Sequence, residues 1–161
     1  MASTAYMTIT GKTQKLISEK CSTPESLGNK YQSGHTDEIM VLSYHHNMTR
    51  SGNSNHPIHN PIVITKYSDK STPLLAQAFS NSEEVECTIS FYRVAANGGQ
   101  ELYLSAKLSG GIIADLSHSM PDTLSQPDAD FQEHVALSYQ DIRWTQHLAN
   151  SSAYSFWGSK S

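Results

Sequence analysis

A chain of 161 residues, 37% hydrophobic and 16% charged, is the length of one domain, here 1–161, and can bury a core without metal or disulfide staples. Its net charge of −4, with no cluster of Lys or Arg, argues against a nucleic-acid partner, and no apolar run approaches the roughly 18 residues of a membrane span. The start, Met1 to Met7, lacks the positive flank and apolar centre of a secretory signal, so a cytoplasmic product is expected, with Cys21 and Cys87 as reduced thiols.

In chain order, Tyr6–Thr10 reads as a first strand, ended by the turn Gly11-Lys12-Thr13. From Gly11 to Thr36 the glycines, proline and small polar residues predict mostly loop, with a short strand around Gln14–Ile17. Glu38–His46 alternates. Met40, Leu42 and Tyr44 are expected to face the core, and Ile39, Val41, Ser43 and His45 to face outward. His46–Pro61 has two prolines, Pro57 and Pro61, and a glycine, and no period; a loop of this length inside a compact domain points to a partner surface.

Ile62–Lys66 is rich in β-branched residues and predicts a strand. A helix is expected from about Thr72 to about Ser82, with Ser71 or Thr72 as N-cap, Pro73 at the first helical position, and a stripe of Leu74, Leu75, Ala78 and Phe79 that leaves Gln77 outside. Val85, Cys87, Ile89 and Phe91 share one face of the next strand. The turn Ala96-Asn97-Gly98-Gly99 then leads to Leu102, Leu104, Ala106 and Leu108 on one face of its hairpin partner. Gly110-Gly111 is expected to turn or bulge the chain into a third strand carrying Ile112, Ala114 and Leu116. Pro121–Phe131 reads as a surface loop. Val135, Leu137 and Tyr139 then change parity to Ile142 and Trp144, which predicts a bend near Gln140 and Asp141. Trp144, Tyr154, Phe156 and Trp157 form an aromatic cluster, with Trp144 in the core and the tail packed on its own sheet or on a neighbour. The sum is mainly β: a β-barrel of two packed antiparallel sheets with one short α-helix.

Eight histidines raise the question of a metal. The tightest group, His45, His46, His56 and His59 in the histidine-rich loop 45–61, supports an alternative reading as a metal-dependent hydrolase, but no Cys pair or nearby Asp or Glu completes a ligand set. No Gly-x-Ser-x-Gly elbow occurs, and neither Gly-Gly pair is followed by the Lys-Ser/Thr that phosphate binding requires. Glu83, Glu84 and Glu86 read as a solvated charged turn. No catalytic residue, cofactor or metal is expected.

Pro61-Ile62-Val63-Ile64-Thr65-Lys66, Asp69-Lys70-Ser71-Thr72-Pro73-Leu74-Leu75 and Phe91-Tyr92-Arg93 resemble the signature of the Hcp (haemolysin-coregulated protein) family, the inner tube proteins of bacterial type VI secretion systems. Tyr6–Gly11, Glu38–Ser43 and Ile142–Thr145 extend the resemblance over nearly the whole chain. It implies hexameric rings stacked into a hollow tube inside a contractile sheath on a baseplate, with a spike at the tip and small effector proteins in the lumen. Export would run through that apparatus without a signal peptide. Carried onto this chain, it makes Met48, Arg50, His56, Ile58 and His59 candidates for contact with neighbouring subunits and rings, and Val41, Ser43 and His45 candidates for the lumen wall. Gln146, where many relatives have His, and Thr36-Asp37 before the second strand depart from the pattern at positions that bear on ring contacts. Some relatives carry a toxin domain at the C-terminus; with the sequence ending at Ser161, no fused effector is expected.

Overall fold

The computed structural model describes residues 3–50, 52 and 55–156. These form twelve strands: β1 Thr4–Gly11, β2 Lys15–Leu16, β3 Ile39–Val41, β4 Ser43–His45, β5 Met48–Thr49, β6 Ile58–His59, β7 Ile62–Tyr67, β8 Val85–Val94, β9 Gln100–Ser119, β10 Gln132–Ser138, β11 Asp141–Gln146 and β12 Ser151–Phe156. Two helices, α1 Pro24–Leu27 and α2 Ser71–Ser80, complete the set, with a 3-10 turn at Gly28–Lys30. Ten strands join one antiparallel sheet along the path β2-β1-β8-β9-β10-β7-β4, with β3 on β1 and β11, carrying β12, on β9; β5 and β6 pair only with each other. The pairing does not close into the expected barrel. The ladder is interrupted at Leu42, the single residue between β3 on β1 and β4 on β7, whose N–H reaches Thr65 O at 2.7 Å.

That bend corrects the expected faces of Glu38–His46. In β3, Ile39 and Val41 lie opposite Met7 and Ala5 of β1 and are buried with them, so Val41 is a core residue and not a wall residue. Beyond Leu42 the parity has shifted by one. Tyr44 lies opposite Ile64 and packs edge-on against Phe91 in the core, while Ser43 and His45 are exposed and Leu42 itself is partly exposed.

β9 is the spine. Its first half pairs with β8 and β11 and its second half with β10, so Gly110-Gly111 does not turn the chain but lets one 20-residue strand serve two sets of neighbours. Gly111 lies where three backbones meet: a Cβ there would stand 2.5 Å from Ser138 O and 3.3 Å from Val85 O. Gly110 has φ +62, which favours glycine. The register slips here and again at Ala136/Leu137. As a result Ile113, not Ile112, is buried, and Leu116 returns to the inner side. The break between β10 and β11 at Tyr139-Gln140 matches the parity change read from the sequence, with Val135, Leu137, Tyr139 and Ile142 all buried.

α2 covers this core with Ser71, Leu75 and Ala78, spaced by four and three as a helical stripe requires; Leu74 packs at its side, while Phe79 is exposed. Its start differs from expectation. Asp69 accepts the Ser71 N–H at 2.9 Å and the Ser71 hydroxyl, so the carboxylate caps the helix and Pro73 is the third residue, still ahead of the first N–H that needs an intrahelical acceptor. The Thr72 hydroxyl is engaged elsewhere, by Glu133 and the Asp69 N–H.

Beneath this cap lies an ion cluster that side-chain alternation does not announce. Lys66, opposite Glu133 in the β7–β10 ladder, is fully buried and places Nζ 3.0 Å from both Asp69 Oδ1 and Glu133 Oε2 and 2.9 Å from Tyr67 O. Glu133 Oε1 faces His118 Nε2 at 3.5 Å, too far for a hydrogen bond. Nearby, burial and the Asp69 carboxylate push the Cys21 thiol up to about 12; burial and then Glu86 push the Cys87 thiol up as well, and both cysteines are free.

Glu83 is also not the solvated residue expected. It is buried under Gly11 and accepts the N–H groups of Thr13 and Gln14 at 2.7 and 2.8 Å and the Gln14 side-chain amide at 3.1 Å. Burial raises its carboxyl, but the hydrogen bonds from Gln14 and Thr13 outweigh burial and hold it below the usual carboxylate range.

Candidate assembly arm and the sheet face beside it

The stretch read as an unstructured loop contains a small ribbon. Met48 lies opposite His59 and Thr49 opposite Ile58, and below them Asn60 donates its N–H to Asn47 O at 3.2 Å and its side-chain amide to Asn47 Oδ1 at 3.0 Å. Among the described residues this arm pairs with no strand of the large sheet. Met48, Arg50, His56 and Ile58 are exposed, Met48 at 47% and Ile58 at 41%, leaving two large apolar side chains on a two-stranded element that is marginal alone. His59 differs from the other candidates: it is buried inside its own chain.

The arm is tied down at its base. His46 Nε2 and His59 Nδ1 both meet the Tyr139 hydroxyl, at 2.6 and 2.9 Å, and His59 Nε2 meets Ser155 Oγ of β12 at 3.1 Å. Both imidazole rings lie near-parallel to Trp144, with centroids 6.4 and 6.5 Å away. Burial, then the imidazoles of His59 and His45, holds His46 below the ordinary histidine value; burial does the same for His59. Tyr139, Ser155 and the role of Trp144 here were not readable beforehand. The one signal in the sequence is the bend expected near Gln140 and Asp141, which leaves Tyr139, of the inward parity, at the end of its strand.

Ser43 and His45 belong to a broad outer face. Ser43 lies opposite Thr65, Thr65 opposite His134, and His134 opposite Ser117; one row on, His45, Val63, Ala136 and Asp115 are neighbours. Ser43 Oγ donates to Thr65 Oγ1 at 2.8 Å, and Thr65 Oγ1 meets His134 Nδ1 at 2.9 Å. Ser43, Thr65 and His134 satisfy one another across three strands, and the rows around them carry Asp115 as their carboxylate. Thr65 and His134 follow from the alternation of their strands once register is known, which sequence alone does not provide.

The histidines that suggested a metal do not converge. His46 and His59 meet at Tyr139, His45 and His56 are exposed, and the described residues contain no group of three or more His, Cys, Asp or Glu able to hold an ion. No helix among the described residues is long and apolar enough to cross a membrane.

Residues 6–146 match the family described as "Type VI secretion system effector, Hcp". The chain belongs to the Hcp family. The "Major exported protein" of Pseudomonas aeruginosa is 38% identical to it, over 99% of this chain and 98% of that protein. YhhZ of Escherichia coli is 34% identical over 97% of this chain, which corresponds to 38% of that longer protein. A crystal structure of an Hcp protein superposes with TM-score 0.92 at 34% identity, covering 99% of this chain and all of the other, and the secreted protein Hcp3 of Pseudomonas aeruginosa superposes with TM-score 0.87 at 36% identity. In this Hcp chain, then, the arm and the polar face are the features whose use needs explaining, and the family description names secretion and no reaction.

Proposed function

We propose that this Hcp chain is the ring-forming subunit of a type VI secretion tube: six copies close around a channel, rings stack, and the arm seats on neighbouring subunits and on the adjacent ring. The observation that carries the reading is the arm, an element outside the main sheet that exposes Met48 and Ile58. Covering a large apolar side chain contributes about 1.5–3 kcal/mol, and a ring repeats the contact at every subunit, so a head-to-tail arrangement that closes gathers enough from a small arm. Arg50 and His56 flank the apolar pair and give it a polar rim.

In this reading Ser43 and His45, with Thr65, His134 and Ser117, line the channel, and the low charge of that face suits small effector proteins of varied surface. The finished tube lies within the sheath above the baseplate, carries the spike, and leaves the cell through the apparatus. Covering of the free strand edges by neighbouring subunits belongs to the same proposal. The test compares the wild-type chain with Met48→Asp/Ile58→Asp by light scattering after size exclusion. The wild type is expected as a ring and the variant as single subunits with an unchanged circular dichroism spectrum; a variant that still forms rings would remove the arm from the account.

A further inference from the structure

The base of the arm is a continuous chain of three hydrogen bonds. Ser155 Oγ meets His59 Nε2, His59 Nδ1 meets the Tyr139 hydroxyl, and that hydroxyl meets His46 Nε2; with both rings neutral, every contact pairs one donor with one acceptor whichever way the protons run along the chain. It joins both ends of the arm, His46 just before β5 and His59 within β6, to one phenol at the β10–β11 junction and to β12. We propose that this relay is an acid-sensitive latch: uptake of protons by His46 and His59 opens the base of the arm and frees it from the sheet.

The chemistry is local. With both rings charged, His46 Nε2–H and His59 Nδ1–H are two donors aimed at the one Tyr139 oxygen and the phenol O–H can donate to neither ring, while the Ser155 hydroxyl turns to accept from His59 Nε2–H. The rings are 6.4 Å apart between centroids, so a doubly charged pair also repels itself. Among the groups bearing on the pair are His45 and Tyr44 on β4, Tyr139 after β10, and Ser155 and Trp144 on the strands beyond. The charges acting on His46 are the imidazoles of His59 and His45, which add repulsion when protonated. Burial already favours the neutral rings, so proton uptake and opening reinforce one another. The link to assembly rests on the proposed function of the arm; the latch itself is a property of the single chain.

Hydrogen exchange of the backbone over residues 46–60 tests it, on the full chain at about pH 7.5 and about pH 5, on either side of the ordinary histidine value near 6.5 and corrected for intrinsic rate. Protection of the arm is expected to fall several-fold or more at the lower pH, while β1 and β8 keep theirs. His46→Gln/His59→Gln, which cannot take up a proton, is expected to show no such dependence, and Tyr139→Phe a loose arm at both pH values. Equal protection of the wild-type arm at both pH values overturns the latch, as does a pH dependence that survives in the Gln pair. If the Gln pair does not fold, the wild-type comparison and Tyr139→Phe still decide. Subunit count at both pH values separates the two claims: an arm freed without loss of rings supports the latch and contradicts the arm's role in assembly.

Discussion

Lys66, Asp69 and Glu133 show how much can depend on a residue that looks misplaced. A lysine at an inward position of a strand would ordinarily count against that strand, yet here it sits between two carboxylates that also engage α2 through Ser71 and Thr72. Lys66→Met keeps the volume and strands both anions, so it is expected to destabilise the chain by about 3–5 kcal/mol in denaturant unfolding, the usual cost of leaving one side of a buried pair alone; a loss under about 1 kcal/mol would show that the carboxylates had other partners. Glu83 makes a prediction about acid. Its native carboxyl lies below the ordinary value of 4.5, so the unfolded chain takes up its proton first and the stabilisation is present above that value and lost as pH falls through the lower native one. Glu83→Gln should flatten this part of the stability-against-pH curve, and an unchanged slope would place the acid sensitivity elsewhere. A methyl group at Gly11 would stand 2.2 Å from Glu83 Oε2, so Gly11→Ala is expected to weaken the same turn.

At the scale of elements, β9 is what holds the two parts of the large sheet together, and Gly111 is the place where that is possible. Gly111→Ala pushes a Cβ into Ser138 O and is expected to cost about 1–3 kcal/mol, read as a lower midpoint in denaturant, with more if β10 shifts; a neutral substitution would mean the backbones part easily. The same region shows what the sequence can and cannot convey. Alternation in Val85–Val94 is legible because each inward residue meets the core directly, and the helix is legible from Leu74, Leu75 and Ala78. A single-residue bend such as Leu42 leaves no composition signal, yet it reverses every side chain after it, which is why Val41 was expected outside and is buried. Gly110-Gly111 has the composition of a turn whether it turns or lets three strands cross, and only the partners of β9 decide between them. The ribbon β5–β6 is too short for periodicity, and β12, built from Ser151 to Phe156, carries little alternation of its own. Trp157 lies outside the described residues.

Taken whole, the molecule puts its buried histidine and tyrosine chemistry at the foot of an arm, its self-satisfied polar side chains on one broad face, and two apolar side chains on the arm itself. That division suits a part that works by contact with copies of itself. Met48, Ile58, Ser43 and His45 are exposed, the first two on the arm and open to the contacts proposed for it, the last two on the face proposed as the channel wall, whereas Val41 and His59 are buried in the single chain. Ring formation by the untagged wild-type chain, measured by native mass spectrometry and imaged at micromolar concentration, tests the central claim most directly. The account predicts six-subunit particles with an open centre; single subunits across the whole concentration range would contradict it.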